Sequence, residues 1–150
     1  MALIRTLLVD DSREFLQAAS QFLSVDPQIE IVGKFLSTRE ALDNIYVLNP
    51  DLVLMDLAMP HINGLEATQL IKEHAQPPKV IILTMHDNPE YRHASNAVQA
   101  DGFVTKSNFG VELIPLIGKI FKDQKQPEGQ DQSKTPSQVR RSSKQTRNSP

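Results

Sequence analysis

The chain has 150 residues, of which 39% are hydrophobic and 5% aromatic, and its formal net charge is -2. These values suit one domain with an aliphatic core and favour neither nucleic-acid nor membrane binding by the chain as a whole. The absence of cysteine excludes disulfides and thiolate metal sites. Since no apolar run approaches the ~18 residues that span a bilayer, and charge appears too early for a secretory signal, we predict a cytoplasmic protein.

Short aliphatic runs alternate with helical patterns along the chain, which is the arrangement of βαβ units around a parallel sheet. The runs read IRTLLVD, IEIVGKF, LVLMD, VIILT and GFVTK. We therefore predict an α/β fold with a doubly wound, five-stranded parallel sheet, its strands lying over residues 4–10, 29–35, 52–56, 80–84 and 102–106.

The first two helices are indicated by apolar side chains at helical spacing. The second has a capping-box pattern, Ser37 with Glu40, at its start and the stop signal Asn49-Pro50 at its end. The predicted buried stripes are Phe15, Ala18, Ala19, Phe22 and Leu23 in the first helix and Ala41, Ile45 and Leu48 in the second.

The other three helices follow the third, fourth and fifth strands. Asn88 and Pro89 are a favourable N-cap and first residue for the fourth helix. The fifth is predicted over residues 109–122 with a kink or a late start, because Pro115 lacks an amide donor. The third is expected to open at Asn63 and to bury Leu65, Leu70 and Ile71.

The composition changes abruptly after Lys122. Residues 123–150 hold six basic and three acidic side chains and one aliphatic residue, Val139, so residues 1–122 carry a net charge of -5. Such a segment cannot bury enough apolar surface to offset its ordering entropy. We therefore predict a domain over residues 1–122 and a disordered polar and basic tail over 123–150.

Polar residues end four of the five predicted strands. Asp10, Asp56, Thr84 and Lys106 are the terminal residues, and Asp11 follows Asp10 directly. Ligands of open parallel sheets bind beyond the carboxyl ends of the strands, near the point where the strand order reverses. If the second strand lies at the edge of the sheet, these side chains converge on one cleft.

Electrostatics decides what such a cleft would hold. Two carboxylates 4 Å apart repel by about 4 kcal/mol at an effective dielectric constant of 20, so three acids require cations. Lys106 supplies one, and Mg²⁺ (or Mn²⁺), which accepts carboxylate ligands and keeps waters for phosphate oxygens, is the natural second. Asp56 would then be a nucleophile toward phosphorus, with Thr84 donating a hydrogen bond to a phosphoryl oxygen.

Each of these residues has an ordinary structural interpretation when taken alone. Asp11 with Glu14 fits a helix capping box, Lys106 a surface lysine, Thr84 a β-branched strand residue and Asp56 the start of a turn. The coincidence of polar residues at four strand ends on one side of a sheet favours a functional site instead.

In these motifs the chain resembles response-regulator receiver domains, the phosphoacceptor half of two-component signalling. The resemblance covers residues 4 to about 121 and rests on the acidic pair DD, LVLMDLAMPHINGLEA, VIILT and GFVTK. It implies a flavodoxin-like (βα)5 fold with strand order 2-1-3-4-5. TMHDNPEYR is similar to receivers of helix-turn-helix regulators, although no such domain follows, so we expect a receiver acting without one.

The resemblance also implies a role for each site residue. Asp56 would accept phosphate from a sensor histidine kinase or phosphotransfer protein. Thr84 and Lys106 would contact the phosphoryl group, and Phe103 would be the switch aromatic that turns inward as Thr84 moves. The metal would be held by Asp10, Asp11, Asp56 and the backbone carbonyl of Ala58.

The implied output is a change in the partner-binding face formed by the fourth helix, fifth strand and fifth helix. The output partner is unknown, and the resemblance leaves open whether a homodimer forms through this face. Several residues depart from the family pattern. Ser107 replaces a common proline, Pro115 lies in the output face, and Ala58, Met85 and His86 occupy positions that tune access to the phosphoryl group and its hydrolysis.

Two other functions compete with this interpretation. Haloacid-dehalogenase-like phosphatases also use a strand-end aspartate, but they need a second acid where this chain has Ala58, so we expect no enzyme. The basic end RRSSKQTR favours nucleic-acid binding only weakly, because no aromatic residues interleave with it to stack on bases. The chain as the receiver part of a transcriptional regulator remains an open alternative.

Overall fold

The computed structural model describes residues 3–59 and 63–125, with side chains through 122. Its strands form a single parallel sheet in the order β2-β1-β3-β4-β5. The predicted fold class and strand order are therefore confirmed. The strands are β1 (Ile4–Val9), β2 (Ile29–Phe35), β3 (Leu52–Asp56), β4 (Lys79–Thr84) and β5 (Gly102–Thr105).

The described residues also contain five α-helices and one short 3-10 helix. None of these helices is long and apolar enough to cross a membrane. The helices are α1 (Arg13–Ser24), α2 (Thr38–Leu48), α3 (Gly64–Lys72), α4 (Pro89–Ala97), the 3-10 helix Lys106–Asn108 and α5 (Phe109–Lys125).

Internal contacts divide the chain at Pro115. The first unit, Met1–Ile114, contains the whole sheet, and the described part of the second unit is the remainder of α5. The helix begins at Phe109 and includes Pro115, so of the two predicted alternatives the late start is wrong, and the kink stays a prediction. It continues through residues 123–125, which we had assigned to the tail; residues 126–150 of the predicted tail lie outside the described residues.

The centre of the sheet is buried, and this includes all five residues of β3. Alternate residues of β1, β3 and β4 point to one face, where α2 and α3 cover them. The cluster on this face includes Leu7, Val9, Val53, Met55, Val80 and Ile82 of the sheet with Ala41, Ile45, Ala67 and Ile71 of the helices.

Two of the predicted apolar stripes need correction. Helix α1 buries Leu16 instead of Ala18, together with Ala19 and Leu23. Phe15 and Phe22 of the predicted stripe are half-buried. Ser12, not Asp11, is the N-cap of this helix, and its hydroxyl accepts from Phe15 N at 3.2 Å. In α3, Ile71 is buried as predicted, but Leu70 is 44% exposed and Leu65 is half-buried, while Ala67 and Thr68 are buried.

The start of α3 lies directly against the backbone of Asp56. Asn63 and Glu66 form a reciprocal capping box, and Gly64 N donates to Leu57 O at 2.9 Å. A Cβ atom on Gly64 would lie 2.1 Å from the Asp56 carbonyl oxygen. Only glycine allows this approach, so the loop after β3 depends on Gly64.

We expect Gly64→Ala to lower the free energy of unfolding by about 2 kcal/mol or more, because backbone atoms must move to accommodate the methyl group. Urea unfolding measures the loss. Gly110→Ala is the matched control, since a Cβ there meets nothing within 4 Å. This control should stabilise the helix by up to about 1 kcal/mol. Equal stabilities of the two variants would contradict the close packing at Gly64.

Candidate functional site

The carboxyl ends of β1, β3, β4 and β5 bring together the polar residues that the sequence predicted. Asp56 ends β3 and Thr84 ends β4, and Asp10 and Lys106 come directly after β1 and β5. A pocket of about 380 Å³ at this edge is lined by Asp11, Asp56, Thr84 and Lys106 among others. The sheet therefore forms one cleft from four strand ends.

Three carboxylates share this cleft. One oxygen from each of Asp10, Asp11 and Asp56 lies within 4.8 Å of the others. Asp10 and Asp56 are buried, at 1% and 4% exposure, while Asp11 faces solvent. Because Ser12 caps α1, the carboxylate of Asp11 is not used as the helix cap, and the capping interpretation of this residue was wrong.

Lys106 places its ammonium group between the two buried acids. The Nζ atom lies 2.6 Å from Asp10 Oδ2 and 3.5 Å from Asp56 Oδ1, and the lysine side chain is 11% exposed. Asp10 Oδ1 accepts from Ser12 N at 2.9 Å. Among the described residues, Asp10 Oδ2 accepts no well-aligned hydrogen bond, so its close contact with Lys106 is an ion pair.

The environment of Asp56 opposes its ionisation. Burial, followed by the nearby Asp10 charge, raises the pKa of Asp56 from 3.8 to about 6, although Lys106 acts in the opposite direction. A second cation in the cleft would favour the ionised carboxylate by the same Coulombic effect. The cleft thus holds a buried carboxyl group whose pKa of about 6 lies close to neutral pH.

The donor set fits a hard divalent cation. Carboxylate oxygens are the ligands that Mg²⁺ prefers, and the three carboxylates, with oxygens within 4.8 Å of one another, have one close ammonium group, Lys106, in the described part of the chain. Ala58 lines the same pocket. The role of its backbone carbonyl as a ligand stays a prediction.

Thr84 and the two residues after it form the rim of the pocket. The Thr84 side chain is buried, and its Oγ1 accepts from His86 N at 3.3 Å. This bond uses a lone pair of the hydroxyl, so the hydroxyl proton is available to a ligand oxygen. Met85 is 68% exposed and His86 is also exposed, and both line the pocket as access-controlling residues would.

Phe103, the predicted switch aromatic, is covered by the side chain of Arg92, a residue that the sequence analysis had not singled out. Phe103 is half-buried against the core cluster, and the Arg92 guanidinium carbon lies 4.6 Å above its ring centroid. Arg92 Nε also donates to Asp87 Oδ1 at 2.7 Å. This hydrogen bond holds the pKa of Asp87 below its usual value and raises that of Arg92.

The sequence analysis did not identify the roles of Arg92 and Gly64. It also missed that the Phe15 ring, predicted only as part of a buried stripe, lies 4.3 Å from Lys106 Nζ. The signals were present but weak. Arg92 follows Asp87 at a spacing that allows pairing, and Gly64 follows an N-cap residue. Their partners come from other elements, which a local pattern does not identify.

We expect Asp56→Asn to raise the free energy of unfolding by about 2 kcal/mol at pH 8 in metal-free buffer. The folded pKa of about 6 exceeds 3.8, so ionisation of Asp56 destabilises the fold above pH 6. That cost disappears as the pH falls from 6 toward 3.8. Urea unfolding between pH 4 and pH 8 measures the difference, with exposed Asp43→Asn as the control. A pH-independent difference would contradict the shift.

Comparison with known proteins identifies relatives of this fold and site. The response regulator protein VraR of Staphylococcus saprophyticus is 32% identical over 123 residues, covering 81% of this chain and 58% of that protein. A protein-glutamate methylesterase/protein-glutamine glutaminase of Geobacillus kaustophilus is 36% identical over 128 residues, covering 81% of this chain and 37% of the relative. The chain therefore spans roughly half or less of these two relatives' length.

Solved structures agree with this relationship. A DNA-binding response regulator of the LuxR family from Staphylococcus aureus has a TM-score of 0.74 and 28% identity, covering 79% of this chain and 98% of that one. Residues 6–117 match the family described as response regulator receiver domain. Since the match covers most of the chain and includes Asp10, Asp11, Asp56, Thr84 and Lys106, this chain belongs to the response regulator receiver domain family.

Proposed function

We propose that Asp56 accepts a phosphoryl group from a phosphohistidine of a sensor histidine kinase or phosphotransfer protein. Phosphorylation switching is the general function of the receiver family. Asp56 as the acceptor and a phosphohistidine as the donor are both parts of the proposal. The observation that carries the proposal is the placement of the Lys106 ammonium 3.5 Å from Asp56 Oδ1 in a pocket that Thr84 also lines. A kinase partner of this type is consistent with the predicted cytoplasmic location.

The chemistry follows from the side chains in the cleft. An Asp56 oxygen attacks phosphorus, the new O–P bond replaces the N–P bond, and the electron pair of that bond returns to the imidazole. Lys106 offsets charge on the phosphoryl oxygens, and Thr84 donates a hydrogen bond to one of them. Asp10, Asp11, Asp56 and the Ala58 carbonyl would hold Mg²⁺ or Mn²⁺, which when bound neutralises further phosphoryl charge.

The output is proposed to be a change in the face formed by α4, β5 and the first turns of α5. Thr84 ends β4, and a shift of its hydroxyl toward a phosphoryl oxygen opens space for Phe103. Tyr91 lines the phosphoacceptor pocket, while its neighbour Arg92 covers Phe103. Helix α4 thus contacts both the pocket and the aromatic residue, so a change at one biases the other. The output partner and a homodimer through this face are parts of the proposal that need their own measurement.

The likeness to a DNA-binding response regulator supports a second candidate, in which this chain is the receiver part of a transcriptional regulator. A mobility-shift assay at low salt, comparing the chain with one truncated after Lys125, separates direct DNA binding through the basic end from protein binding. The methylesterase relative is matched over 37% of its length. We therefore propose no separate substrate for this chain beyond its own phosphorylation and dephosphorylation.

Acetyl phosphate with Mg²⁺ should add one phosphoryl group to the wild-type chain, because the cleft places Asp56 beside the Lys106 ammonium and the acids that would bind Mg²⁺. Intact-mass spectrometry detects the 80 Da increment expected for transfer of about one phosphoryl group. Asp56→Asn and chelation of the metal should each abolish labelling. Equal labelling of Asp56→Asn and wild type would show that Asp56 is not the acceptor.

Arg92→Gln should tighten the binding of beryllofluoride, a phosphoryl analogue, by about two- to fivefold. The reason is that loss of a surface cation–π contact of about 0.5–1 kcal/mol makes displacement of Phe103 easier. Asp87→Asn, which keeps the guanidinium but replaces its charged hydrogen-bond acceptor with a neutral amide oxygen, should have a smaller effect. NMR titration with Mg²⁺ present measures both. Weaker binding by Arg92→Gln would mean that Arg92 favours the switched state instead.

A further inference from the structure

The Lys106 ammonium has a third neighbour besides its two carboxylates. The face of the Phe15 ring lies 4.3 Å from Nζ, measured to the ring centroid. We propose that Phe15 is a positioning residue for phosphotransfer, and that its ring holds the ammonium at a point from which it reaches a phosphoryl group on Asp56. This inference rests on the proposed function, in which Lys106 contacts that group.

The two carboxylates hold the amine unequally. Nζ lies 0.9 Å nearer to Asp10 Oδ2 than to Asp56 Oδ1, at 2.6 Å against 3.5 Å. The shorter ion pair is the stronger one, so it draws the amine toward Asp10 more than toward Asp56. An aromatic face attracts a cation without adding negative charge. The ring therefore restrains the amine and leaves its positive charge for the phosphoryl oxygens.

The first turn of α1 fixes the ring relative to the acids. Ser12 N donates to Asp10 Oδ1 at 2.9 Å, and Phe15 N donates to Ser12 Oγ at 3.2 Å. Both bonds are local, so the Asp10 carboxylate and the Phe15 backbone belong to one hydrogen-bonded turn. The Lys106 ammonium contacts the Asp10 carboxylate and the Phe15 ring, so two of its neighbours are fixed relative to each other by this turn.

The Phe109 ring packs on Phe15 from the side of the Lys106 segment, and Phe22 of α1 packs on Phe109 in turn. The Phe109 ring lies 5.4 Å from Phe15 and 4.9 Å from Phe22, with interplanar angles of 56° and 55°. Phe109 directly follows the 3-10 helix Lys106–Asn108, which has no side-chain cap. Tilted aromatic pairs at these distances are favourable. The three rings therefore tie the short segment that carries the lysine to α1.

Fluorination of a single ring tests the electrostatic role without changing the fold. We would replace Phe15 by mono-, di- and trifluorophenylalanine, because fluorine withdraws electron density from the ring face and barely alters its size. The initial rate of Asp56 phosphorylation by acetyl phosphate with Mg²⁺ should fall stepwise with each fluorine. The total loss should reach about three- to tenfold, with unfolding midpoints unchanged. Phe15→Leu should lose at least as much.

The same substitutions at Phe22 are the matched control. Phe22 contacts Phe109, and no contact between Phe22 and Lys106 is recorded in the described part of the chain. Its series should leave the rate unchanged. A flat Phe15 series in a chain that is phosphorylated normally, or an equal decline in both series, would overturn this inference alone. A wild-type chain that remains unphosphorylated would overturn the proposed function and this inference with it.

Discussion

The mutual repulsion of three carboxylates, held within 4.8 Å of one another, is the constraint on which the site depends. Each pair at this distance is unfavourable by about 3–4 kcal/mol at an effective dielectric constant of 20. One ammonium group, from Lys106, lies between the two buried members. It offsets only part of the repulsion, since the pKa of Asp56 still rises to about 6. The cleft is thus deficient in positive charge, which favours a divalent cation.

The rest of the first unit serves to keep these charges together. Strand β3 lies between β1 and β4 with all five residues buried, so neighbouring strands on both sides hold the Asp56 backbone in place. Gly64 lets α3 begin directly against the Asp56 carbonyl. Ser12 caps α1 and leaves the Asp11 carboxylate available to the cleft. The packing of the fold in this way offsets the electrostatic repulsion among the three carboxylates and keeps them close together.

Most of the fold and the five polar site residues could be predicted from the sequence because their signals are local. Apolar runs mark the strands to within one residue at most ends, and polar side chains at the ends of parallel strands converge wherever the strand order reverses. The N-cap of α1 was missed because both Asp11 and Ser12 are acceptable N-cap residues and the local sequence does not choose between them. The contacts of Phe15 with Lys106, and of Arg92 with Phe103, join residues of different elements, and no pattern of spacing indicates them.

The site and the proposed output face are joined through short physical contacts. Helix α4 contributes Tyr91 to the pocket and Arg92 to the cover over Phe103, so its position affects both. The most direct test of the account is the anomalous scattering of Mn²⁺ in crystals of the chain. We expect one Mn²⁺ peak at about 2.0–2.4 Å from carboxylate oxygens of Asp11 and Asp56. A peak bound elsewhere, with the acidic cleft empty at saturating Mn²⁺, would contradict the claim that these acids form a cation-dependent phosphoacceptor site.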